Sequence, residues 1–225
     1  MTLTDNIHRG QQCPFFNMNK EIFWDYTGYT ASSFTQNELQ FLHDEAADIL
    51  NSPESYIKFN KHLVGQIEKE YRLSDETTQQ LSRILMPWCE EYYNIFPMYP
   101  KSSDFSNLPL KLTLESAWIN FQRKYEFNPL HTHNGVFSFV IWLQIPYLID
   151  DEMNTPQMRG SNHSGQPGGL TFYTISPYGK IYPTYHNPKV NDAVVFPASM
   201  AHSVNPFYTS DDYRISVSGN FIYDM

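Results

Sequence analysis

The chain is poor in cysteine, in basic runs and in long apolar stretches. Two cysteines, Cys13 and Cys89, stand far apart among 225 residues. They form no CxxC motif and no disulfide framework, which points to a reducing, cytosolic setting. Fifteen Lys and Arg against 24 Asp and Glu give a net charge of −9. Without clustered cations there is no footprint for nucleic-acid phosphates, so no nucleic-acid partner is expected. No run approaches the roughly 20 apolar residues of a membrane helix. The opening segment, Met1 to Phe16, has no apolar signal core either. Neither a membrane partner nor export is therefore expected.

Aromatic residues make up 16% of the chain, and the length suits one compact domain with a sizeable core. There is no internal repeat. The pattern changes near residue 110, dividing a mainly helical region, 1–109, from a strand-rich region, 110–225. In the first, Thr35-Gln36-Asn37-Glu38 reads as a capping box. Leu39, Leu42, Ala46 and Ile49 follow at helical spacing until Ser52-Pro53. The segment around His62 reads as a short helix or turn. Ser74 can cap a second helix running through Tyr92-Tyr93, which Pro87 should kink or break. The N-terminal half carries no recognisable chemistry; it can brace a sheet, wall a substrate site or form a homodimer interface.

In the second region, strands are expected at 110–125, 136–145, 170–175, 180–184, 192–196 and 213–222, punctuated by Gly, Pro, Asn and Asp. Many short strands at such spacing predict a mainly β fold, a sandwich or jelly roll with helices packed on an outer sheet face. Asp150 to Gly169 is long, polar and rich in Gly and Pro. It reads either as a substrate lid or as an irregular excursion. Tyr173, Tyr182 and Tyr185 could line a substrate entrance, though each also suits plain sheet packing.

Of eight histidines, His8, His43, His62 and His163 read as surface or structural, and His186 as a turn residue. His131 and His133 differ. Placed at the entry to a strand, residues i and i+2 share a face, so both imidazoles could meet one centre. His202 follows Phe196-Pro197 at the start of another strand, where a distant ligand can return to a barrel mouth. Imidazole suits Fe, Zn, Cu and Ni alike, so these residues do not choose the metal. Arg214, in an otherwise apolar strand, needs a counter-ion. Either Asp211 or Asp212 supplies it, or a dicarboxylate ligand does.

Taken in order, Trp118-Ile119-Asn120, Asn128 to Gly135, Ser138, Trp142 to Pro146, Gly168 to Phe172, Val195-Phe196-Pro197, His202-Ser203-Val204 and Arg214-Ile215-Ser216 resemble the double-stranded β-helix of the 2-oxoglutarate/Fe(II)-dependent oxygenases. The resemblance covers about residues 110–223 and is nearest to members found in bacteria and bacteriophages; a phage-encoded protein would work in the host cytoplasm. It implies an oxidoreductase, a dioxygenase that uses Fe(II), 2-oxoglutarate and O2. Such enzymes decarboxylate 2-oxoglutarate to succinate while oxidising a small-molecule or peptide substrate, with hydroxylation the default outcome. By position, His131 would be the first iron ligand and His202 the distal one. Arg214 would hold the far carboxylate of 2-oxoglutarate, with Ser216 and Asn120 beside it.

The sequence departs from the family where His-x-Asp or His-x-Glu is usual, because the second place is His133. Three readings follow. In the first, His131, His133 and His202 form an all-histidine site, which the shared strand face favours. Alternatively His133 is the first ligand and Gly135 stands where the carboxylate would be. In the third, the metal is lost and the fold only binds. The rival functions are a cupin-like three-histidine enzyme without 2-oxoglutarate and a jelly-roll binding or structural protein.

Overall fold

This computed structural model describes residues 19–23, 27–96, 111–159, 166–176 and 178–224. Two antiparallel sheets face one another. The larger has seven strands in the order β1-β2-β9-β6-β11-β4-β3. These are β1 (Asn19–Phe23), β2 (Thr27–Ser33), β3 (Lys69–Arg72), β4 (Leu112–Gln122), β6 (Phe137–Gln144), β9 (Asp192–Pro197) and β11 (Arg214–Tyr223). The smaller has the order β5-β10-β7-β8, built from β5 (Asn128–His131), β7 (Leu170–Ile175), β8 (Ile181–His186) and β10 (His202–Val204). This is the jelly roll, or double-stranded β-helix, expected from the sequence.

Alternation along the strands sorts the side chains into two cores. Facing outward from the large sheet, Ile119, Phe121, Phe137, Phe139, Val195, Val217 and Phe221 pack under two helices. These are α1 (Gln40–Asn51), presenting Leu42, Ala46 and Ile49, and α2 (Asp75–Ile95), presenting Leu81, Leu85, Trp88 and Tyr92. Between the sheets, Tyr29, Val140, Trp142, Leu170, Phe172, Val194, Phe196 and Met200 form the second core. The helices thus cover the outer face of the large sheet.

Residues 1–109 supply more than helices. They give β1, β2 and β3 to the large sheet, so no layer boundary coincides with residue 110. The sequence reading missed these strands and β5 because each is short, at an edge or weakly alternating. The capping box forms: Thr35 N–H donates to Glu38 Oε2 at 2.7 Å, and Glu38 N–H to Thr35 Oγ1 at 3.4 Å. The sequence allowed a kink or a break at Pro87, and the break does not occur. Helix α2 runs through it as a single element, because packing of its apolar stripe offsets the one lost backbone bond. One correction concerns His186, which closes β8 rather than sitting in a turn, and stacks on Trp142 with centroids 5.2 Å apart. Among the described residues no helix is long and apolar enough to cross a membrane.

At the start of α2, Ser74 Oγ accepts from Thr77 N–H at 3.2 Å. Its own N–H and hydroxyl donate to the Glu45 carboxylate of α1 at 2.7 and 3.1 Å. One serine therefore caps a helix and ties two helices together. Ser74→Ala should cost about 1 kcal/mol of folding stability, the usual worth of an N-cap, read as a lower urea midpoint with an unchanged slope.

Candidate functional site

Pairing of β5 with β10 sets the geometry of the histidines. His202 lies directly opposite His131 in that ladder, and opposite Phe172 of β7 on its other side. Directly opposed residues share a face about 5 Å apart, and the two imidazole centroids are 4.3 Å apart. His133 arrives by a different route from the one the sequence suggested. It lies in the loop after β5, not on a strand, so strand parity does not orient it. Its backbone N–H donates instead to Ala198 O at 2.8 Å, in the turn before β10. Its ring then stands 4.9 Å from His131 and 5.1 Å from His202.

One nitrogen from each of the three rings lies within 4.8 Å of the others. His131 Nδ1 meets Pro129 O at 2.7 Å and His202 Nδ1 meets Met200 O at 2.9 Å. A carbonyl only accepts, so each Nδ1 carries the proton and each Nε2 is left with a free lone pair. Backbone contacts of this kind fix metal-ligand tautomers. Burial, reinforced by the neighbouring imidazoles, pushes His202 down to about 3 and His133 down to about 4. Burial also lowers His131, against the opposing pull of the Pro129 carbonyl. The cluster is therefore three neutral imidazoles at neutral pH, the donor set a divalent transition metal takes.

The histidines line a pocket with Trp118, Asn120, Trp142, Leu170, Phe196 and Arg214. Arg214 is 2% exposed. Its Nη1 donates to Tyr147 Oη at 3.0 Å and Gly168 O at 2.6 Å, and its Nη2 to Gln122 Oε1 and to Asn205 O at 3.4 Å. Its Nε has no partner among the described residues. Every acceptor is neutral. Asp211 pairs with Lys124 at 2.7 Å on the surface, and Asp212 is exposed. Glu152 is fully buried nearby, yet it accepts from the Tyr208 and Thr209 amides at 2.7 and 2.9 Å. Among the described residues no carboxylate neutralises Arg214, which removes the reading that Asp211 or Asp212 is its counter-ion. Ser216 and Asn120 sit beside it on the pocket face, with Asn120 Nδ2 donating to Ser216 Oγ at 3.3 Å.

The segment the sequence singled out as lid or excursion is only partly described. Within Asp150 to Gly169, a short helix, α3 (Ile149–Met153), and a 3-10 turn at Pro156–Met158 are formed, while residues 160–165 lie outside the described residues, as do His8 and Cys13. Of this segment, only Gly169 lines the pocket among the described residues. Leu63, Val64 and Ile67, before β3, also line it. Phe59 of the same loop stacks on Trp118 at 5.6 Å, and Trp118 leans on His133 at 5.9 Å. Tyr173, Tyr182 and Tyr185 are not in the lining. Phe172 points inward, so its neighbour Tyr173 points out, where its hydroxyl meets Ser203 Oγ at 3.0 Å.

Sequence reasoning also missed Glu70, on edge strand β3. It is directly opposite Asn120 of β4 and therefore on the pocket face. It is 2% exposed and its Oε1 has no partner. Burial, and then the Glu126 carboxylate, push it from 4.5 up to about 8. The folded state binds this proton more tightly than the unfolded state does, so its contribution to stability falls as pH rises from about 4.5 to about 8. Glu70→Gln should then raise the melting temperature more at pH 8 than at pH 5. An equal shift at both values would mean the carboxyl is not perturbed.

Residues 116–220 match the family described as "Putative 2OG-Fe(II) oxygenase". No curated protein matches the chain in sequence. Among solved structures, a Pseudomonas putida prolyl-4-hydroxylase is similar at TM-score 0.53 and 12% identity, over 88% of this chain and 94% of that one. A Trichoplax adhaerens prolyl hydroxylase, in complex with a hypoxia inducible factor peptide fragment, gives 0.52 and 12%, over 87% and 84%. The non-heme alpha ketoglutarate dependent epimerase SnoN from nogalamycin biosynthesis gives 0.54 and 13%, over 88% and 78%. At such identities the structural likeness speaks for the fold alone. By the family match and that fold, the chain resembles the 2-oxoglutarate/Fe(II)-dependent oxygenases, and the resemblance implies Fe(II), 2-oxoglutarate and O2 as what its three-histidine pocket takes.

Proposed function

We propose that the protein is an Fe(II)- and 2-oxoglutarate-dependent hydroxylase of a small-molecule or peptide substrate. His131, His133 and His202 hold the iron, and Arg214, with Ser216 and Asn120, holds 2-oxoglutarate. The observation that carries this reading is a buried guanidinium with no carboxylate partner among the described residues, lining the same pocket as three neutral imidazoles. A permanent cation in an apolar core is costly without an anion, and a dicarboxylate supplies one. When bound, the metal and cosubstrate provide, with O2, an oxidant for a substrate C–H bond, and 2-oxoglutarate leaves as succinate and CO2.

The chain's own part is positional. The Pro129 and Met200 carbonyls hold the Nδ1 atoms of His131 and His202 and leave each Nε2 free for a ligand. Three neutral ligands leave the centre one unit more positive than two histidines and a carboxylate would, which favours anionic ligands there. Tyr147, Gln122 and the Gly168 and Asn205 carbonyls keep the Arg214 fork from swinging. Leu170, Phe196, Val204 and Trp118 exclude water around the reacting atoms.

Anaerobic addition of Fe(II) and then 2-oxoglutarate should give a weak visible charge-transfer band, and aerobic turnover should release succinate. Arg214→Ala should raise the half-saturating 2-oxoglutarate concentration at least about tenfold, since a charged hydrogen bond is worth roughly 1.5–3 kcal/mol. His202→Ala should abolish iron binding. His133→Ala should weaken it strongly; full retention would leave His131 and His202 as the ligands. Iron binding with no band in the wild type would instead mark a three-histidine site that does not use 2-oxoglutarate.

A further inference from the structure

One polar side chain of the pocket serves neither the histidines nor Arg214. Asn128, the first residue of β5, lines the cavity together with Leu63, Val64 and Ile67. It lies opposite Val204 of β10, another lining residue, so both side chains stand on the pocket face. The same short strand ends at His131.

The segment before β3 sets the orientation of its carboxamide. Gln66 N–H donates to Phe127 O at 2.9 Å, which lays Gly65 against the Asn128 side chain. A Cβ at Gly65 would meet Asn128 Oδ1 first, then Cγ at 2.7 Å, while Nδ2 is 3.5 Å away. Oδ1 is thus turned to Gly65, where it is buried without a partner among the described residues, and Nδ2 is turned away from it. No described residue accepts from Nδ2. A carboxamide nitrogen carries two donors, so an unused donor stands at the cavity wall. The rest of the lining limits what can meet it. Among the described residues Arg214 is the one charged side chain there, and 2-oxoglutarate is its proposed partner. Leu63 and Val64 precede Gly65 and, with Ile67, make the neighbouring wall apolar. A charged group brought here would lose its water and meet no counter-ion, whereas a neutral group with one acceptor loses little.

We propose that Asn128 is a substrate-recognition residue: its Nδ2 donates to the carbonyl oxygen of an uncharged, amide-type group of the substrate, whose apolar part packs on Leu63, Val64 and Ile67. A carbonyl oxygen accepts only and matches a lone donor. The apolar wall favours a hydrocarbon stem beside it. Gly65 then has a reason to lack a side chain, since a Cβ there would push the carboxamide out of line. The inference rests on the proposed oxygenase reading, in that it names the substrate class for that site.

The test uses protein loaded anaerobically with Fe(II) and 2-oxoglutarate, titrated by calorimetry with 4-methylpentanamide, 4-methylpentylamine and 4-methylpentanoate, which share one apolar stem. The amide should bind at least about tenfold more tightly than either charged probe, because only the charged probes bury an unpaired ion. Asn128→Leu keeps the bulk and removes the donor. It should weaken amide binding about fivefold, the usual worth of one neutral hydrogen bond, and leave the half-saturating 2-oxoglutarate concentration of the charge-transfer band unchanged. Asn128→Asp offers acceptors only, and should reverse the order so that the amine binds best. Tightest binding of a charged probe to the wild type, equal affinity for all three, or an order unchanged in Asn128→Asp overturns the proposal. Joint loss of amide and 2-oxoglutarate binding in Asn128→Leu overturns it too, by marking Asn128 as a support of β5 alone. If the band never forms in the wild type, the oxygenase reading fails separately, and the same titrations of metal-free protein still decide the Asn128 site.

Discussion

A guanidinium held in an apolar strand, with no counter-ion among the described residues, is the constraint around which the pocket is organised. Arg214 cannot lose its proton, and only 2% of it is exposed. Its neighbours are therefore neutral acceptors brought in from separate parts of the chain: Gln122 from β4, Tyr147 and Gly168 from either end of the loop after β6, and Asn205 from the loop after β10. Tyr147 Oη donates to the same Gly168 carbonyl at 2.6 Å, so the loop ends are fastened together at the arginine. A negatively charged chain, −9 overall, thus keeps a positive interior end to one pocket. Three neutral imidazoles beside it do nothing to offset that sign, and an anionic ligand does.

The histidines show how sheet register and a loop contact share the work. Two rings face each other because β5 and β10 pair in the register His131 to His202. The third is added by one backbone hydrogen bond to Ala198, in the turn that leads into His202. The turn at Pro197–Met200 therefore orients both the distal histidine, through the Met200 carbonyl, and the loop that carries His133. A shift of one residue in that ladder would turn His202 to the opposite face.

Buried polar groups also cost stability in the free fold. Among the described residues Glu70, Asn60 and Asn120 have buried oxygens without a partner, while the outer core under α1 and α2 is densely apolar. Well-packed helices and aromatic strands can carry such a cost. Unsatisfied buried polar groups in an otherwise consistent structure are where function is expected to reside.

The sequence alone determined the strand-rich second half, the capping box at Thr35, the Ser74 cap and the order of the motifs, because alternation, caps and turn residues act over a few residues. It also singled out the three histidines and Arg214, since unusual residue types in apolar strands are visible without coordinates. Tertiary structure decided the rest. That His133 joins the cluster from a loop depends on a contact with Ala198, 65 positions away in sequence. That Asp211 serves Lys124 and not Arg214 depends on which way a surface turn faces. Among the described residues Leu63, Val64 and Ile67 line the pocket, and Glu70 sits opposite Asn120, because β3 pairs with β4 at the sheet edge. Local patterns say which residues prefer a strand; only long-range pairing says which face, and which partner, each residue meets.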